Sequence, residues 1–369
     1  MKSKLVVLRS SPVADERVAL TPLACQKLSE KGWDVWIESE AGSACGYADS
    51  HYEAAATIRS NKAELAQSAD VVVTLGAPDE QTVALFSPTC AIIGLLGGGL
   101  APHYLLQRPH AYSLESLPRS SATQIFDVLT SQSSLYGYWS VLVGASYLKR
   151  VMPMMSTPAG RLPPARVLVL GAGVAGLQAI ATAKRLGAVV SAFDVRESAR
   201  GGVESLDAHF YAPAVVSPEN EDHKGYAVHA PETAVQQHRD IIAPLLSTTD
   251  LVIATAMVPG QEPPVLLPAD MVALMPFGSV IVDIAADRWV GHHMPSPSGN
   301  CALSARGQTH VHHGVTVVAP AFGLNAIAQH ASETYAQNIL SLLVRLWNHE
   351  TKTLGNQESW VDAMRLRPA

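Results

Sequence analysis

Charge and cysteine are both scarce in this sequence. Only 16% of its 369 residues are charged, the net charge is −6, and no run of five or more basic residues occurs. A nucleic-acid partner is therefore not expected, because proteins that bind nucleic acids carry basic patches. The four cysteines are scattered and form no C-x-x-C pair, so neither a zinc site nor a disulfide framework is predicted.

Long apolar runs are missing as well. No stretch reaches about 18 consecutive apolar residues, the length that suggests a membrane-spanning helix. The amino-terminal segment has too short an apolar run for a signal peptide. These absences predict a cytoplasmic protein with no direct membrane insertion. The 48% hydrophobic content nevertheless provides enough material for two buried cores.

Residues 166–196 carry the most informative motif. An apolar run at 167–170 predicts a strand buried on both faces, and a helix is predicted over 174–186. Between them lies the pattern G-x-G-x-x-G, formed by Gly171, Gly173 and Gly176. Such glycines permit a tight turn, admit backbone close to a diphosphate and let the helix pack on the strand. The start of the helix, with Val174 and Ala175, is expected to bind that diphosphate.

An acidic residue ends the next predicted strand. The apolar run at 188–193 leads to Asp194, about 20 residues beyond the glycines, where a carboxylate accepts hydrogen bonds from an adenosine ribose. The same carboxylate would repel a 2′-phosphate, so NAD is predicted in preference to NADP. Val195 and Arg196 follow, and Arg196 is expected near the adenine or the diphosphate. Farther along, Ala256 lies in a strand end of small residues that suits a bound cofactor.

Strands alternate with helices around this segment, which predicts an α/β fold with parallel sheets. Near the amino terminus, Thr21 and Pro22 predict the cap and first residue of a helix, and another helix is predicted at 52–58. Residues 120–150 lack proline and predict a long helix that links two domains, with a break near Gly137 left open. Clustered histidines such as His310 have no supporting carboxylate or cysteine pattern, so no metal site is predicted.

Several blocks in the chain occur in the order typical of one family. They are residues 15–22, 118–138, the glycine motif, 225–227, 255–260, 278–283 and 299–301. Together they resemble the NAD(H)-binding domain I, or alpha subunit, of proton-translocating NAD(P) transhydrogenase, a close relative of alanine dehydrogenase. The resemblance implies two Rossmann-like, doubly wound parallel-sheet domains joined by the long helix. It implies a discontinuous N-terminal domain at 1–130 plus 325–369 and an NAD-binding domain at 131–324.

The resemblance also implies partners and site residues. A homodimer is expected, together with an NADP-binding beta subunit and a membrane domain. The residues that match the family's nicotinamide and transfer site are Arg119, Gln124 and Asp127. Thr130 replaces a family serine and keeps its hydroxyl, while Gly225 and Tyr226 match the tip of a loop that closes over bound nucleotide. Polar caps of a helix start are the alternative interpretation of the first group.

A second hypothesis follows from the likeness to alanine dehydrogenases. The chain would then be a stand-alone NAD-dependent dehydrogenase acting on an amino acid or a 2-oxo acid. Arg17 matches a residue that holds the substrate carboxylate, and Asp287 matches an active-site aspartate. Arg17 has another interpretation, as a surface arginine paired with Asp15 or Glu16.

Two missing residues oppose that second hypothesis. The catalytic lysine and histidine of alanine dehydrogenases are absent from residues 74–77 and 95–99. Oxidation of an amine or alcohol needs such a base, whereas hydride transfer between two nicotinamides needs none. A third hypothesis is a non-catalytic NAD-binding module. The chain also departs from the transhydrogenase pattern at Trp139, in an insertion at about 289–298 and in residues 319–325.

Overall fold

A computed structural model describes residues 2–10, 14–213, 232–257, 262–287, 299–355 and 358–368. They fall into two compact units. The first contains the described residues up to 132 and from 324 onward, and the second contains the described residues between 133 and 323.

Strands and helices alternate along much of the chain. The strands are β1 (Lys4–Val7), β2 (Asp34–Glu38), β3 (Thr57–Arg59), β4 (Val71–Thr74), β5 (Ala91–Gly94), β6 (Ala111–Ser113), β7 (Met155–Thr157), β8 (Gly160–Leu162), β9 (Arg166–Leu170), β10 (Val189–Phe193), β11 (His209–Tyr211), β12 (Leu251–Ala254), β13 (Val280–Asp283), β14 (Gln308–His312), β15 (Val315–Ala319), β16 (Trp347–Asn348) and β17 (Thr353–Leu354). The α-helices are α1 (Pro22–Glu30), α2 (Lys62–Ser68), α3 (Glu80–Leu85), α4 (His103–Leu106), α5 (Val128–Tyr147), α6 (Val174–Arg185), α7 (Arg200–Ser205), α8 (Glu232–Leu246), α9 (Ala269–Val272), α10 (Ala328–Leu346) and α11 (Ser359–Met364).

The first unit is built on a six-stranded sheet in the order β3-β2-β1-β4-β5-β6. Every neighbouring pair is parallel. The order is the doubly wound 3-2-1-4-5-6, which reverses direction next to β1. The three valines of β4 are all fully buried, as expected for a parallel strand covered on both faces.

Two helix predictions in this unit had different outcomes. Helix α1 begins at Pro22, and the Thr21 hydroxyl accepts a hydrogen bond from the Ala24 N–H at 3.4 Å, so the predicted start is confirmed. The helix predicted at 52–58 is wrong, because β3 pairs there with β2. Tyr52 is buried before that strand, and its hydroxyl donates to the Leu20 carbonyl at 3.1 Å.

The second unit repeats the topology of the first. Its seven-stranded sheet has the order β11-β10-β9-β12-β13-β15-β14. All pairs are parallel except β14 with β15, so the first six strands again follow the order 3-2-1-4-5-6. The predicted fold class, two Rossmann-like doubly wound sheets, is therefore confirmed.

The predicted long helix is α5. It begins at Val128, later than expected, and it continues through Gly137 to Tyr147 without the break that the sequence left open. A β-carbon on Gly137 would lie 2.0 Å from the Ala175 carbonyl oxygen, so the glycine allows α5 to pack closely on the start of α6. Across the described ranges, no helix is both long and apolar enough to cross a membrane.

Candidate functional site

The glycine motif lies at the switch point of the second sheet. Strand β9 ends at Leu170, the chain turns at Gly171 with φ +92°, and α6 begins at Val174. The predicted strand, turn and helix are thus confirmed. Strands β10 and β12 flank β9 on opposite sides, and crevices at such switch points are the usual binding place for nucleotides.

The space around the three glycines fits a diphosphate-binding loop. A β-carbon on Gly171 would lie 2.9 Å from the Ala256 backbone, and one on Gly176 would lie 1.8 Å from the Gly171 carbonyl oxygen. A β-carbon on Gly173 would have the Arg196 guanidinium as its nearest neighbour, at 4.0 Å. Two glycines therefore pack the loop, while the face at Gly173 stays accessible. Gly173 has no side chain to cap the N–H groups of Val174 and its neighbours at the start of α6.

Asp194 follows β10 and connects to this loop. Its Oδ2 accepts a hydrogen bond from the Ala172 N–H at 2.7 Å, and the side chain is 5% exposed. Arg196 forms an ion pair with it, with 2.9 Å between Nη2 and Oδ2. Sequence reasoning placed Arg196 near the adenine or diphosphate and did not anticipate this pair. Val195, between them, packs against the core of the second unit.

The strand end at Ala256 is held by a residue that sequence reasoning did not single out. The Asn300 amide oxygen accepts from the Ala256 N–H at 2.9 Å, and its Nδ2 donates to the Ala256 carbonyl at 2.8 Å and to the Pro264 carbonyl at 2.9 Å. The Thr255 hydroxyl donates to the Gly171 carbonyl at 2.9 Å. Ala256 is thus fixed beside the glycine loop. The signal in the sequence was the block at 299–301.

The matched nicotinamide-site residues lie in the first unit, around the start of α5. Asp127 immediately precedes the helix and accepts from the Thr130 N–H at 2.9 Å and from its hydroxyl at 2.6 Å. Gln124 begins a 3₁₀ turn and is exposed, as is Arg119. The structure therefore joins Asp127 to Thr130 as a helix cap and leaves Gln124 accessible, and the roles of these residues stay predictions.

Some predicted features lie outside the described residues. They include Gly225, Tyr226 and the insertion at 289–298. Among the described side chains, no group of three or more His, Cys, Asp or Glu residues is arranged to hold a metal ion.

Arg17, the candidate substrate-carboxylate ligand of the second hypothesis, is 3% exposed rather than a surface residue. Its guanidinium donates to both oxygens of Asp15, at 2.9 and 2.6 Å. Nη1 donates to the Gln132 amide oxygen at 2.7 Å. The expected pairing with Asp15 is confirmed, the surface location is wrong, and the charge that would recognise a substrate carboxylate is compensated within the chain.

Asp287 is compensated in a similar way within the second unit. It is 1% exposed, accepts from the Gly323 N–H at 2.8 Å and from Arg306 Nε at 3.2 Å, and accepts a short hydrogen bond from the Tyr136 hydroxyl. Burial and the adjacent carboxylate raise the pKa of Tyr136 well above its ordinary value, so the phenol remains the donor. Trp139 packs against Tyr136 with 5.6 Å between ring centroids.

The segment where alanine dehydrogenases have their histidine is held by Glu115. Its carboxyl oxygens accept from the Leu96 and Gly97 N–H groups at 3.1 and 2.9 Å. The Ser113 hydroxyl donates to the same group. Burial raises the pKa of Glu115. Because its acceptor positions are used by the loop and by Ser113, Glu115 acts as a structural anchor and offers no equivalent of the missing base.

Comparison with known proteins agrees with this geometry. Family models described as alanine dehydrogenase/PNT match residues 6–136 with the N-terminal domain and residues 140–366 with the C-terminal domain. The chain belongs to the alanine dehydrogenase/PNT family. It is thus placed in a family of NAD(P)-dependent oxidoreductases.

Within the family, the chain is more similar to transhydrogenases. It is 39% identical to the first of the separate polypeptides named as NAD(P) transhydrogenase subunit alpha in Rhodospirillum rubrum, covering 95% of this chain and 92% of that polypeptide. The crystal structure of transhydrogenase from Sinorhizobium meliloti superimposes with a TM-score of 0.79 at 33% identity, covering 92% of this chain and 93% of the other. Alanine dehydrogenase of Halomonas elongata is 28% identical, covering 83% and 76%.

Proposed function

We propose that this chain is the NAD(H)-binding subunit of an NAD(P) transhydrogenase and that hydride passes directly between NADH and NADP held on a partner domain. The observation that carries the proposal is the connection of the glycine loop to Asp194 through the Ala172 N–H, at 2.7 Å. This connection joins a diphosphate-binding loop to a ribose-binding carboxylate, the two elements that hold the adenosine half of a dinucleotide.

The proposed binding residues occur in both units. The N–H groups at the start of α6 would hold the diphosphate, Asp194 would bind the ribose, and Ala256 would border the cofactor. In the first unit, Gln124 would fix the nicotinamide carboxamide, with Arg119, Asp127 and Thr130 supporting that segment. When bound, NADH supplies a hydride from its nicotinamide ring. The chain contributes binding and orientation, because this transfer releases and consumes no proton.

The internal pairing of two charged residues disfavours the alternative dehydrogenase. Recognition of an amino or 2-oxo acid needs an accessible cation, but the Arg17 guanidinium is paired with Asp15 and buried. Asp287 is held by three donors and buried. With no base at 74–77 or 95–99, amine or alcohol oxidation lacks a proton acceptor there.

The proposed assembly includes a second copy of the chain. The hairpin of β7 and β8 forms a two-stranded sheet in which every strand residue is exposed. Met154, Met155 and Leu162 are 55%, 43% and 44% exposed. An isolated hairpin with apolar side chains is marginally stable in water, so burial against another copy would stabilise it. Sedimentation equilibrium should show a dimer for the unchanged chain and a monomer for Met155→Asp/Leu162→Asp.

The remaining aspects of the proposal follow the family pattern. The domains would comprise 1–130 with 325–369 and 131–324. A beta-type subunit would hold NADP beside this chain, a membrane domain would complete the complex, and the chain would act on the cytoplasmic side.

Turnover with and without a partner tests the function. The purified chain should bind NADH in a fluorescence titration and oxidise it slowly alone, and adding a beta-type NADP-binding domain with NADP should increase the rate strongly. NADH oxidation with a 2-oxo acid and ammonia, without a partner, would support the alternative dehydrogenase. NADH binding with no turnover in either assay would support a non-catalytic module.

A further inference from the structure

The acceptor positions of Asp194 are already filled by two residues of the chain. Its Oδ1 accepts from the Arg196 N–H at 2.9 Å and from Arg196 Nε at 3.0 Å. Its Oδ2 accepts from the Ala172 N–H at 2.7 Å and from Arg196 Nη2 at 2.9 Å. An ionised carboxylate offers about four such positions, so a ribose hydroxyl must displace a donor to reach Asp194.

Arg196 is the exchangeable partner. The Ala172 and Arg196 N–H groups belong to the backbone, whereas the guanidinium is on a side chain that can rotate. The guanidinium also lies beside the glycine loop, 4.0 Å from the position that a β-carbon on Gly173 would take. The Arg196 and Asp194 side chains are 15% and 5% exposed, so little solvent separates their charges.

The ion pair changes what a 2′-phosphate would meet. A bare carboxylate at this position repels that phosphate, but a bidentate pair has no net charge and presents a guanidinium that matches phosphate geometry. We infer that Arg196 determines how strongly the site discriminates NADH from NADPH, and that it weakens the discrimination Asp194 would impose alone. The inference rests on the proposed NAD(H) site and deepens it.

Two effects of removing the guanidinium act in the same direction. Arg196→Ala frees two acceptor positions of Asp194 for ribose hydroxyls, which favours NADH. It also exposes the carboxylate charge to a 2′-phosphate, which disfavours NADPH. Any contact between Arg196 and the diphosphate would affect both nucleotides alike, so the informative quantity is the ratio of the two dissociation constants.

Fluorescence titrations of the full chain with NADH and NADPH measure this ratio. Because one charge-assisted hydrogen bond typically changes affinity by about tenfold or more, Arg196→Ala should raise Kd(NADPH)/Kd(NADH) at least about tenfold. Asp194→Asn should lower the ratio by a similar factor. Arg200→Ala is the matched control, since Arg200 pairs with Glu197 and Glu204 and its side chain is 41% exposed. Its ratio should equal that of the unchanged chain.

The outcomes that would count against the inference are distinguishable. If the unchanged chain binds no NADH, the proposed function fails. If Arg196→Ala retains NADH binding but its ratio stays equal or falls, the inference fails and the site stands. Arg196→Gln replaces the alanine variant if the latter does not fold, as judged by circular dichroism. Loss of both nucleotides in a folded Arg196→Gln chain would make Arg196 a common ligand and would overturn the inference.

Discussion

Asn300 holds Ala256 by both of its backbone groups. The amide oxygen accepts from the N–H at 2.9 Å and Nδ2 donates to the carbonyl at 2.8 Å, while Asn300 itself is fully buried. The clamped segment lies against Gly171, whose β-carbon, if present, would be 2.9 Å from the Ala256 backbone. The crevice at the switch point is thus shaped partly by a side chain from far along the sequence.

Asn300→Ala should weaken both the fold and cofactor binding. It leaves three buried backbone partners unsatisfied, and one such group typically costs about 1–3 kcal/mol. We expect a lower free energy of unfolding in urea and a higher Kd for NADH at a temperature where the variant is folded. Asn348→Ala, in the first unit, is the control and should leave the Kd unchanged. Unaltered NADH affinity in folded Asn300→Ala would show that the clamp does not shape the site.

A pair of glycine substitutions tests the close packing of the loop. Gly176→Ala places a β-carbon 1.8 Å from the Gly171 carbonyl oxygen, so loop or helix must move at a cost of about 1–3 kcal/mol or more. NADH binding should be lost or severely weakened. Gly201→Ala in α7 meets nothing within 4 Å and should stabilise the chain by about 0.5–1 kcal/mol. Normal NADH binding by Gly176→Ala would contradict the proposed loop.

The hydroxyl of Tyr136 should matter for stability and not for substrate choice. Tyr136→Phe removes one of three donors to buried Asp287, which should lower the free energy of unfolding by about 1–3 kcal/mol. Tyr138→Phe is a control on the same helix, because Tyr138 is 40% exposed, and it should have little effect. Neither variant should oxidise NADH with a 2-oxo acid and ammonia. Appearance of that activity in Tyr136→Phe would mean that Asp287 is a restrained catalytic group.

Asp283 should make stability depend on pH. It is fully buried, its Oδ2 accepts from the Cys301 N–H at 2.8 Å and the Ser304 hydroxyl at 2.7 Å, and its Oδ1 has no hydrogen-bonding partner within the described ranges. Burial raises its pKa, although those hydrogen bonds oppose the shift. The folded chain therefore retains this proton to higher pH than the unfolded chain, which loses it near the ordinary value of about 3.9.

Stability should accordingly fall as pH rises from about 4 through the raised pKa of Asp283. Asp283→Asn keeps the two accepted hydrogen bonds without the charge, so urea unfolding should show a shallower decline with pH. Asp207 is an exposed comparison, since Lys184 lowers its pKa, and Asp207→Asn should give a smaller effect of opposite sign. Superimposable pH profiles for Asp283→Asn and the unchanged chain would contradict this account.

Features encoded within a short stretch were predictable from the sequence. The strand, glycines, helix and Asp194 lie within residues 166–196, and each has a local physical signal. The start of α5 was misplaced because Asp127, inside the predicted helix, caps it. The helix predicted at 52–58 was wrong because pairing of β3 with β2 outweighed local pattern.

The partners of the candidate site residues were much harder to predict. Asp287 is held by Tyr136, Arg306 and Gly323, which are separated from it in sequence by up to 151 positions. Only the folded sheet brings such residues together. Arg196 is two positions from Asp194, but whether it turns toward the carboxylate or a ligand depends on packing that the sequence does not display.

The most direct test of the central claim follows the hydride itself. NADH carrying deuterium at both C4 positions would be mixed with NADP, this chain and a beta-type NADP-binding domain, and the product NADPH analysed by mass spectrometry. Direct transfer between nicotinamides predicts one deuterium in every NADPH formed and none lost to water. NADPH without deuterium, or no NADPH together with rapid NADH oxidation by a 2-oxo acid and ammonia, would contradict the account.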